Sequence, residues 1–237
     1  MSLIAVMCCS KRGMPRLFFT DRGQLSVARR LPHLFFIGLL LFACGRGADY
    51  SSVRNLGSPG ENVICFGDSL TEGVGARTGE DYPSLLARDL QQPVINAGRR
   101  GDTTAQGLAR LERDVLKRNP RLVIVLFGGN DFLRRVPLDR ASKNLEEIIK
   151  RIQQQGAMVV LVGLRLGLFT DEYGPVYKKI AKQYDALYIP RVLKGILSDP
   201  KLKSDSIHPN GAGYRLMAER ILKQVRPLLQ EADRLRG

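Results

Sequence analysis

Short apolar runs alternate with longer segments of helical period through most of the chain. The apolar runs occupy residues 63–66, 94–97, 122–127, 158–162 and 186–189. The third and fourth runs are apolar at every position, as is typical of parallel strands covered by helices on both faces. The pattern therefore predicts a sheet built from βαβ units.

The segments between and after these runs carry apolar residues every three or four positions, as amphipathic helices do. They occupy residues 82–90, 104–118, 141–154, 174–184 and 210–230. Together with the strands they predict a three-layer α/β/α domain over residues 62–232, with right-handed crossovers. In such a fold the functional groups gather at the carboxyl edge of the strands.

Composition narrows the function classes. Of the 237 residues, 44% are hydrophobic and 25% charged, which argues against a disordered, collagen-like or polytopic membrane protein. The four cysteines, at positions 8, 9, 44 and 65, form no CxxC pair and have no histidine cluster beside them, so neither a disulfide framework nor a zinc ribbon is expected.

The chain is strongly basic, with a formal net charge of +14. This charge could indicate nucleic-acid binding, but the sequence contains no basic run with interleaved aromatic residues and no nucleic-acid motif. We therefore expect no nucleic-acid partner and favour attraction to anionic lipid surfaces.

Residues 1–44 have the layout of an export signal. Two arginines at 29–30 precede a run of ten apolar residues at 34–43. About 20 apolar residues are needed to span a bilayer, so this run is too short for a transmembrane helix and is typical of a signal peptide. The sequence Leu-Phe-Ala directly before Cys44 resembles the lipobox of bacterial lipoproteins, in which that cysteine is lipidated after cleavage. We expect an exported lipoprotein, periplasmic or on the outer surface, anchored to the membrane through Cys44. An uncleaved anchor, and cleavage without lipidation, are the alternatives.

Residues 45–61 are rich in glycine, serine and proline and contain few apolar residues. This composition predicts a flexible tether between the signal and the domain.

The first predicted strand is followed by Gly-Asp-Ser-Leu, with the serine at position 69. Glycine at a strand-to-helix turn allows a sharp bend that holds a hydroxyl at the sheet edge. The motif is neither a G-x-S-x-G elbow nor a P-loop, and taken alone it also suits a plain turn, a helix cap or a phosphate-binding loop. Its aspartate, Asp68, is expected to support the turn rather than to exchange protons.

A nucleophilic serine needs a base, because a hydroxyl is protonated near neutral pH. The chain has two histidines, His33 and His208, and only His208 lies beyond the predicted signal. Asp205 is three residues earlier, so on a turn its carboxylate can reach Nδ1 of His208 and leave Nε2 for Ser69. The alternative is an aspartate-capped turn with a surface histidine.

Glycine-containing turns also follow the second and third predicted strands. The first offers a backbone N–H at Gly101 and the second offers the side-chain amide of Asn130, and both are donors suited to an oxyanion. The alternative is a pair of ordinary turns with helix caps at Asp102 or Thr103 and at Asp131. We expect Asp131 to cap the turn after Asn130.

The four motifs, taken together and in order, resemble the four blocks of the SGNH, or GDSL, hydrolase family. They are Gly-Asp-Ser-Leu at Ser69, Gly-Asp-Thr at Gly101, Gly-Gly-Asn-Asp at Asn130 and Asp-Ser-Ile-His-Pro at His208. Within the family the chain is most similar to the bacterial acyl-CoA thioesterase I / lysophospholipase L1 / arylesterase group, over about residues 62–229.

The resemblance implies a flavodoxin-like, five-stranded parallel sheet of order 2-1-3-4-5. It also implies a catalytic triad of Ser69, Asp205 and His208, and an oxyanion hole formed by the N–H groups of Ser69 and Gly101 and the amide of Asn130. No metal ion and no organic cofactor is implied.

The activity implied by the resemblance is hydrolysis of acyl esters or thioesters through an acyl-enzyme, with a small-molecule acyl ester or a lipid as substrate. For an exported protein we favour oxygen esters, namely aryl esters, short-to-medium acyl esters or lysophospholipids. A carbohydrate O-deacetylase or acyltransferase of the same fold, and a non-catalytic lipoprotein, are the alternatives. The chain departs from the family pattern at Arg99-Arg100, which are either solvated charges or attractors of phosphate-bearing substrates, and at residues 164–171.

Overall fold

The computed structural model describes residues 49–165 and 171–237. Five strands form one sheet: β1 Asn62–Gly67, β2 Val94–Gly98, β3 Pro120–Leu126, β4 Met158–Val162 and β5 Leu187–Ile189. Every pairing is parallel and the strand order is β2-β1-β3-β4-β5, which confirms the predicted fold. The central strand β3 is buried at all seven positions, as a strand covered on both faces should be.

Helices cover both faces of this sheet. They are α1 Ser69–Glu72, α2 Tyr82–Leu90, α3 Thr104–Asp114, α4 Gly129–Leu133, α5 Leu138–Gln154, α6 Tyr173–Gln183 and α7 Gly211–Arg234, with a short 3₁₀ helix at Leu116–Arg118. Strand side chains alternate between two buried clusters, one shared with α2 and α7 and the other with α3, α5 and α6. The domain therefore has the expected three layers.

Two details of the helices differ from the pattern-based prediction. The helix predicted over residues 104–118 ends at Asp114, and a 3₁₀ turn follows that closes at Asn119 with a positive φ of 45°. The short helices α1 and α4 were not predicted, because helices of four and five residues contain too little sequence to show a period.

The flexible tether predicted for residues 45–61 is wrong for residues 49–61. Tyr50 and Val53 are buried in the cluster that contains α2 and α7. The side chain of Asn55 donates to the carbonyl oxygens of Gln153 at 2.8 Å and Ala157 at 3.0 Å. Two apolar side chains and one amide are enough to fix a segment that composition alone describes as a linker. The predicted signal, with Cys44, and residues 45–48 lie outside the described residues.

The register of the three neighbouring strands brings their carboxyl ends to one level. Gly67 at the end of β1 pairs with Gly98 at the end of β2 and with Leu126 at the end of β3. The turns that follow these strands therefore lie side by side at one edge of the sheet. In the described ranges, no helix is both long and apolar enough to cross a membrane.

Candidate active site

Ser69 is the first residue of α1 and is separated from the end of β1 by one residue, Asp68. A Cβ on Gly67 would overlap the Thr71 hydroxyl and the Leu126 carbonyl oxygen, so the bend requires glycine. Asp68 caps α1, and its carboxylate accepts the N–H of Leu70 at 3.0 Å. The cap holds the serine hydroxyl at the sheet edge, where the side chain is partly exposed.

The two other candidate catalytic side chains meet this serine. Nε2 of His208 is 3.0 Å from Oγ of Ser69, and Nδ1 is 2.8 Å from Oδ2 of Asp205. A carboxylate at Nδ1 favours the tautomer with the proton on that nitrogen, which leaves the lone pair of Nε2 directed at the hydroxyl. The structure thus brings the three residues into one hydrogen-bonded chain.

The orientation of Asp205 is set by the local backbone rather than by burial, since its side chain is 51% exposed. Its second oxygen accepts the N–H groups of Ile207 at 2.8 Å and His208 at 2.9 Å. The bond from Ile207, followed by the bond from the His208 side chain, lowers the pKa of Asp205 below its ordinary value. The carboxylate therefore stays ionised where the imidazole needs it.

The loop that carries this pair is closed on itself and attached to α7. An isolated antiparallel bridge joins Lys203 to Pro209, and the N–H of Ser204 donates to the carbonyl oxygen of His208 at 3.0 Å. Asn210 caps α7 by accepting the N–H of Gly213 at 3.1 Å. Because α7 packs on the sheet, the position of His208 is coupled to the core.

The candidate oxyanion donors lie on the other side of the serine. Gly101 adopts a φ of +79°, a conformation that favours glycine, in the turn between β2 and α3. Asn130 lies on α4, and its Nδ2 donates to the carbonyl oxygen of Asp102 at 3.0 Å. Ser69, Gly101, Asn130 and His208 line one open cleft of about 380 Å³.

Three buried aspartates, Asp68, Asp102 and Asp131, lie beneath this cleft. Asp131, expected to cap the turn after Asn130, instead accepts the backbone N–H of Thr104 at 2.9 Å and its hydroxyl at 2.7 Å. The expectation failed because the free N-terminus of α3 is a nearby source of donors that only the fold reveals. The N-cap of α3 itself is Thr103, in a capping box with Gln106.

The carboxyl of Asp68 has an unusual environment, and its pKa is raised to about 7. Burial is the main cause, since it penalises the charged form, and the charges of Asp131 and Asp102 raise the pKa further, while the N–H of Leu70 opposes the shift. The other oxygen of this carboxyl is 3.4 Å from Nδ2 of Asn130.

Sequence reasoning missed the ionic contacts that hold the Gly101 turn. Glu72 of α1 accepts the backbone N–H of Arg100 and its Nε, the latter at 3.0 Å. Arg134 donates through Nη2 to the carbonyl oxygen of Gly101 at 2.7 Å. Arg100 is thus a paired charge on the cleft wall rather than only a solvated one.

A buried arginine, Arg110, was also missed, although the sequence contained a signal for it. Arg110 lies beside Gly107 and Leu111 on the buried face of α3. A charged residue within an apolar stripe is unusual and indicates an internal partner.

Other parts of the described chain add no metal site. Among residues 49–165 and 171–237, no group of three or more His, Cys, Asp or Glu side chains is arranged to hold a metal ion. Of the segment that departs from the family pattern, Leu164 is buried in the core and Asp171 accepts the N–H of Gly174 at 2.9 Å. Residues 166–170 lie outside the described residues.

Asp68 makes the stability of the fold depend on pH. Its folded-state pKa of about 7 lies above the ordinary aspartate value, so the folded state holds the proton more tightly and loses stability as pH rises towards 7. Asp68→Asn cannot ionise, and we expect its stability relative to the wild type to rise between about pH 5 and pH 8 by on the order of 2 kcal/mol. Urea unfolding at the two pH values measures this change. The exposed Asp139→Asn variant should show no such trend, and parallel curves for Asp68→Asn and wild type would contradict the assignment.

Comparisons with known proteins agree with this geometry. A family model described as the GDSL-like Lipase/Acylhydrolase family matches residues 65–216. The chain is 30% identical over 177 residues to "Thioesterase 1/protease 1/lysophospholipase L1" of Escherichia coli (strain K12), covering 71% of this chain and 85% of that protein. It is 30% identical over 200 residues to an "Arylesterase" of Vibrio mimicus, covering 80% and 96%.

Among solved structures, the crystal structure of TesA matches with a TM-score of 0.67 at 29% sequence identity, covering 71% of this chain and 99% of that one. The strand order, the position of the four motifs and the family match lead to one conclusion. The chain belongs to the GDSL, or SGNH, lipase/acylhydrolase family and is a hydrolase of the esterase type.

Proposed function

We propose that this protein is a serine esterase that uses Ser69 as nucleophile, His208 as general base and acid, and Asp205 to orient the imidazole. The observation that carries the proposal is the 3.0 Å contact between Nε2 of His208 and Oγ of Ser69, with Asp205 on the opposite ring nitrogen. A hydroxyl paired in this way can be deprotonated as it attacks a carbonyl carbon.

The reaction proceeds in two steps. Ser69 attacks the acyl carbon while His208 takes its proton, and the imidazolium then protonates the departing alcohol or thiol. Water, deprotonated by the same imidazole, then attacks the acyl-enzyme; the imidazolium returns the proton to Oγ of Ser69 as its bond to the acyl carbon breaks, and the carboxylic acid is released. The negative oxygen in each tetrahedral intermediate is stabilised by the N–H groups of Ser69 and Gly101 and by the amide of Asn130.

The amide of Asn130 is prepared for this task by its contacts. One N–H is fixed on the Asp102 carbonyl at 3.0 Å, while the contact with Asp68 is long, at 3.4 Å. The weakly bound N–H is the one that we expect to donate to the oxyanion, because an anionic acceptor forms the stronger hydrogen bond.

The cleft is small but open, so it can hold a short acyl group or the reacting end of a longer ester. A volume of about 380 Å³ is near the lower end of ligand sites, which run from about 300 to 1,000 Å³. We propose aryl esters, short-to-medium acyl esters or lysophospholipids as the substrate class. Thioesters are less favoured because an exported protein meets little acyl-CoA.

Ser69→Ala and His208→Ala should each lower kcat/KM for p-nitrophenyl acetate by at least about 10³-fold, because nucleophile and base act as a unit. A fluorophosphonate should label the wild type and not Ser69→Ala, while Ser198→Ala, which changes an exposed serine elsewhere, should react as the wild type does. Wild-type rates in either active-site variant would overturn the proposal. Release of acetate only from acetylated sugars would favour the carbohydrate deacetylase instead.

The paired arginines before Gly101 give a second test, on substrate charge. Arg99 and Arg100 are exposed, and Arg100 lines the cleft, so both can attract a phosphate group. Arg99→Gln/Arg100→Gln should raise KM for a lysophospholipid about two- to tenfold at low salt and leave KM for a neutral aryl ester unchanged. The distant pair Lys143→Gln/Lys150→Gln on α5 removes the same charge as a control. Equal effects on both substrates would argue against electrostatic steering.

We also propose that the protein is exported and lipidated at Cys44, on the basis of the signal-like sequence described above. Labelled palmitate should enter the wild type and be absent from Cys44→Ala. Cys65→Ala is a suitable control, because this thiol is fully buried in the core. Absence of label from the wild type would remove the lipoprotein assignment.

A further inference from the structure

A buried arginine lies directly beneath the turns that carry the proposed oxyanion donors. Arg110 is on α3, its side chain is 6% exposed, and its guanidinium lies 4.6 Å from the ring centroid of Phe66. A charge withdrawn from water to this degree is costly unless partners compensate it. The partners of Arg110 therefore indicate what it does.

The guanidinium binds three separate segments of the sheet edge. Nη2 donates to the carbonyl oxygen of Gly67 at 2.8 Å, and Nη1 donates to that of Ala97 at 2.9 Å. Nε donates to the carboxylate of Asp102 at 2.5 Å. Gly67 ends β1 just before the turn of the nucleophile, Ala97 lies in β2, and Asp102 directly follows Gly101. One planar group thus spans the two turns that supply the backbone donors.

The third donor is connected to the same group through one residue. The carbonyl oxygen of Asp102 accepts Nδ2 of Asn130 at 3.0 Å, while its carboxylate accepts from Arg110. A second carboxylate, Asp114, lies 3.1 Å from Nη1 and adds negative charge around the guanidinium. Arg110 therefore binds groups next to all three proposed donors: Gly67 near Ser69, and Asp102, which follows Gly101 and accepts from Asn130.

We propose that Arg110 is a positioning residue of the oxyanion hole, which fixes the distance between the Ser69 turn and the Gly101 turn so that their N–H groups converge on one point. The inference rests on the proposed function, since it concerns the donors of that reaction. A buried ion pair adds little stability compared with apolar packing. We infer that what Arg110 contributes is the fixed, planar arrangement of its guanidinium N–H donors. Lysine carries the same charge but is a point donor and cannot bind three acceptors in one plane.

Arg110→Lys, compared with the wild type, tests this role. The variant should lose on the order of 10²–10³-fold in kcat for p-nitrophenyl acetate, the loss typical of a displaced oxyanion donor. KM should change by less than about threefold, because ground-state binding does not use the oxyanion hole. Values of kcat are taken per active site titrated with fluorophosphonate to completion, so unfolded protein does not enter the rate.

Arg113→Lys is the matched control. Arg113 lies on the same helix and also pairs with Asp114, but its side chain is 65% exposed and it does not contact the turns. Its kcat should equal that of the wild type. The acidic limb of the pH profile of kcat/KM should coincide for both variants and the wild type, since neither substitution touches His208 or Asp205. A shifted limb in Arg110→Lys would indicate general distortion of the site and overturn the inference.

A second variant covers the case in which Arg110→Lys does not fold. Asp102→Asn keeps an acceptor for Nε and leaves the other bonds of Arg110 in place, and it should lower kcat by about tenfold with KM unchanged. Added guanidinium, at concentrations well below denaturing ones, should restore part of the kcat of Arg110→Ala and leave Arg113→Ala unaffected.

Wild-type kcat per titrated site in Arg110→Lys, or in Asp102→Asn where only that variant folds, would overturn the inference while leaving the esterase assignment intact. Failure of the assignment itself is distinguishable, because the wild type would then neither react with fluorophosphonate nor hydrolyse any ester.

Discussion

The register of β1 with β2 and β3 is the constraint on which the rest of the site depends. Three parallel strands end at one level, so the residues that follow them are neighbours in space although they are some 30 positions apart in sequence. Serine, glycine and asparagine then need only short turns to line one cleft. The imidazole arrives from a separate loop, and its distance to the serine depends on the packing of α7 against the same strands. A shift of one residue in any of these strands would reverse its inward and outward faces and separate the groups.

The underside of the cleft shows how the fold supports this arrangement. Asp68, Asp102 and Asp131 are buried there together with the guanidinium of Arg110. Each of these carboxyls accepts hydrogen bonds from the backbone, from a hydroxyl or from the arginine, so the desolvated groups are largely compensated. Such a network contributes less to stability than apolar packing does, but its directional bonds fix loops that would otherwise be free to move. Burying these charged groups therefore costs stability, but their hydrogen bonds hold the loops of the site in a defined position.

The sequence predicted the elements that have a clear period and the residues whose chemistry is rare. Apolar runs located the five strands, and the single histidine beyond the predicted signal pointed to His208, whose Nε2 lies 3.0 Å from Oγ of Ser69. The order of the strands came from the resemblance of four short motifs to a known family, because local pattern does not fix which strands are neighbours. The strands were predicted correctly because each depends on residues close together in sequence, and their order was predicted correctly because the motifs belong to a family with one fold.

What could not be predicted depends on contacts between distant segments. The partner of Asp131 is the N-terminus of α3, the partners of Arg110 belong to β1, β2 and the Gly101 turn, and residues 49–61 are held by side chains that reach α5 and α7. Composition described that last segment correctly as rich in small and polar residues. The prediction of a flexible tether failed because two buried apolar side chains and two hydrogen bonds from one amide fix the segment, whatever its average composition.

Asp68 and Asp205, the two carboxylates beside the proposed nucleophile and base, show why chemical type alone does not assign a role. Asp68 adjoins Ser69 in sequence, yet it is buried, faces other carboxylates and has a pKa raised to about 7. Asp205 lies far along the chain and is half exposed, yet two backbone N–H groups and the imidazole keep its pKa low. In the proposed mechanism the group that stabilises the imidazolium has to remain ionised, and the environment of Asp205 favours ionisation while that of Asp68 opposes it. Asp68 is therefore suited to cap α1 and to approach Asn130, whereas Asp205 is suited to the proposed role of orienting the base, because its hydrogen bonds fix its carboxylate while it stays half exposed.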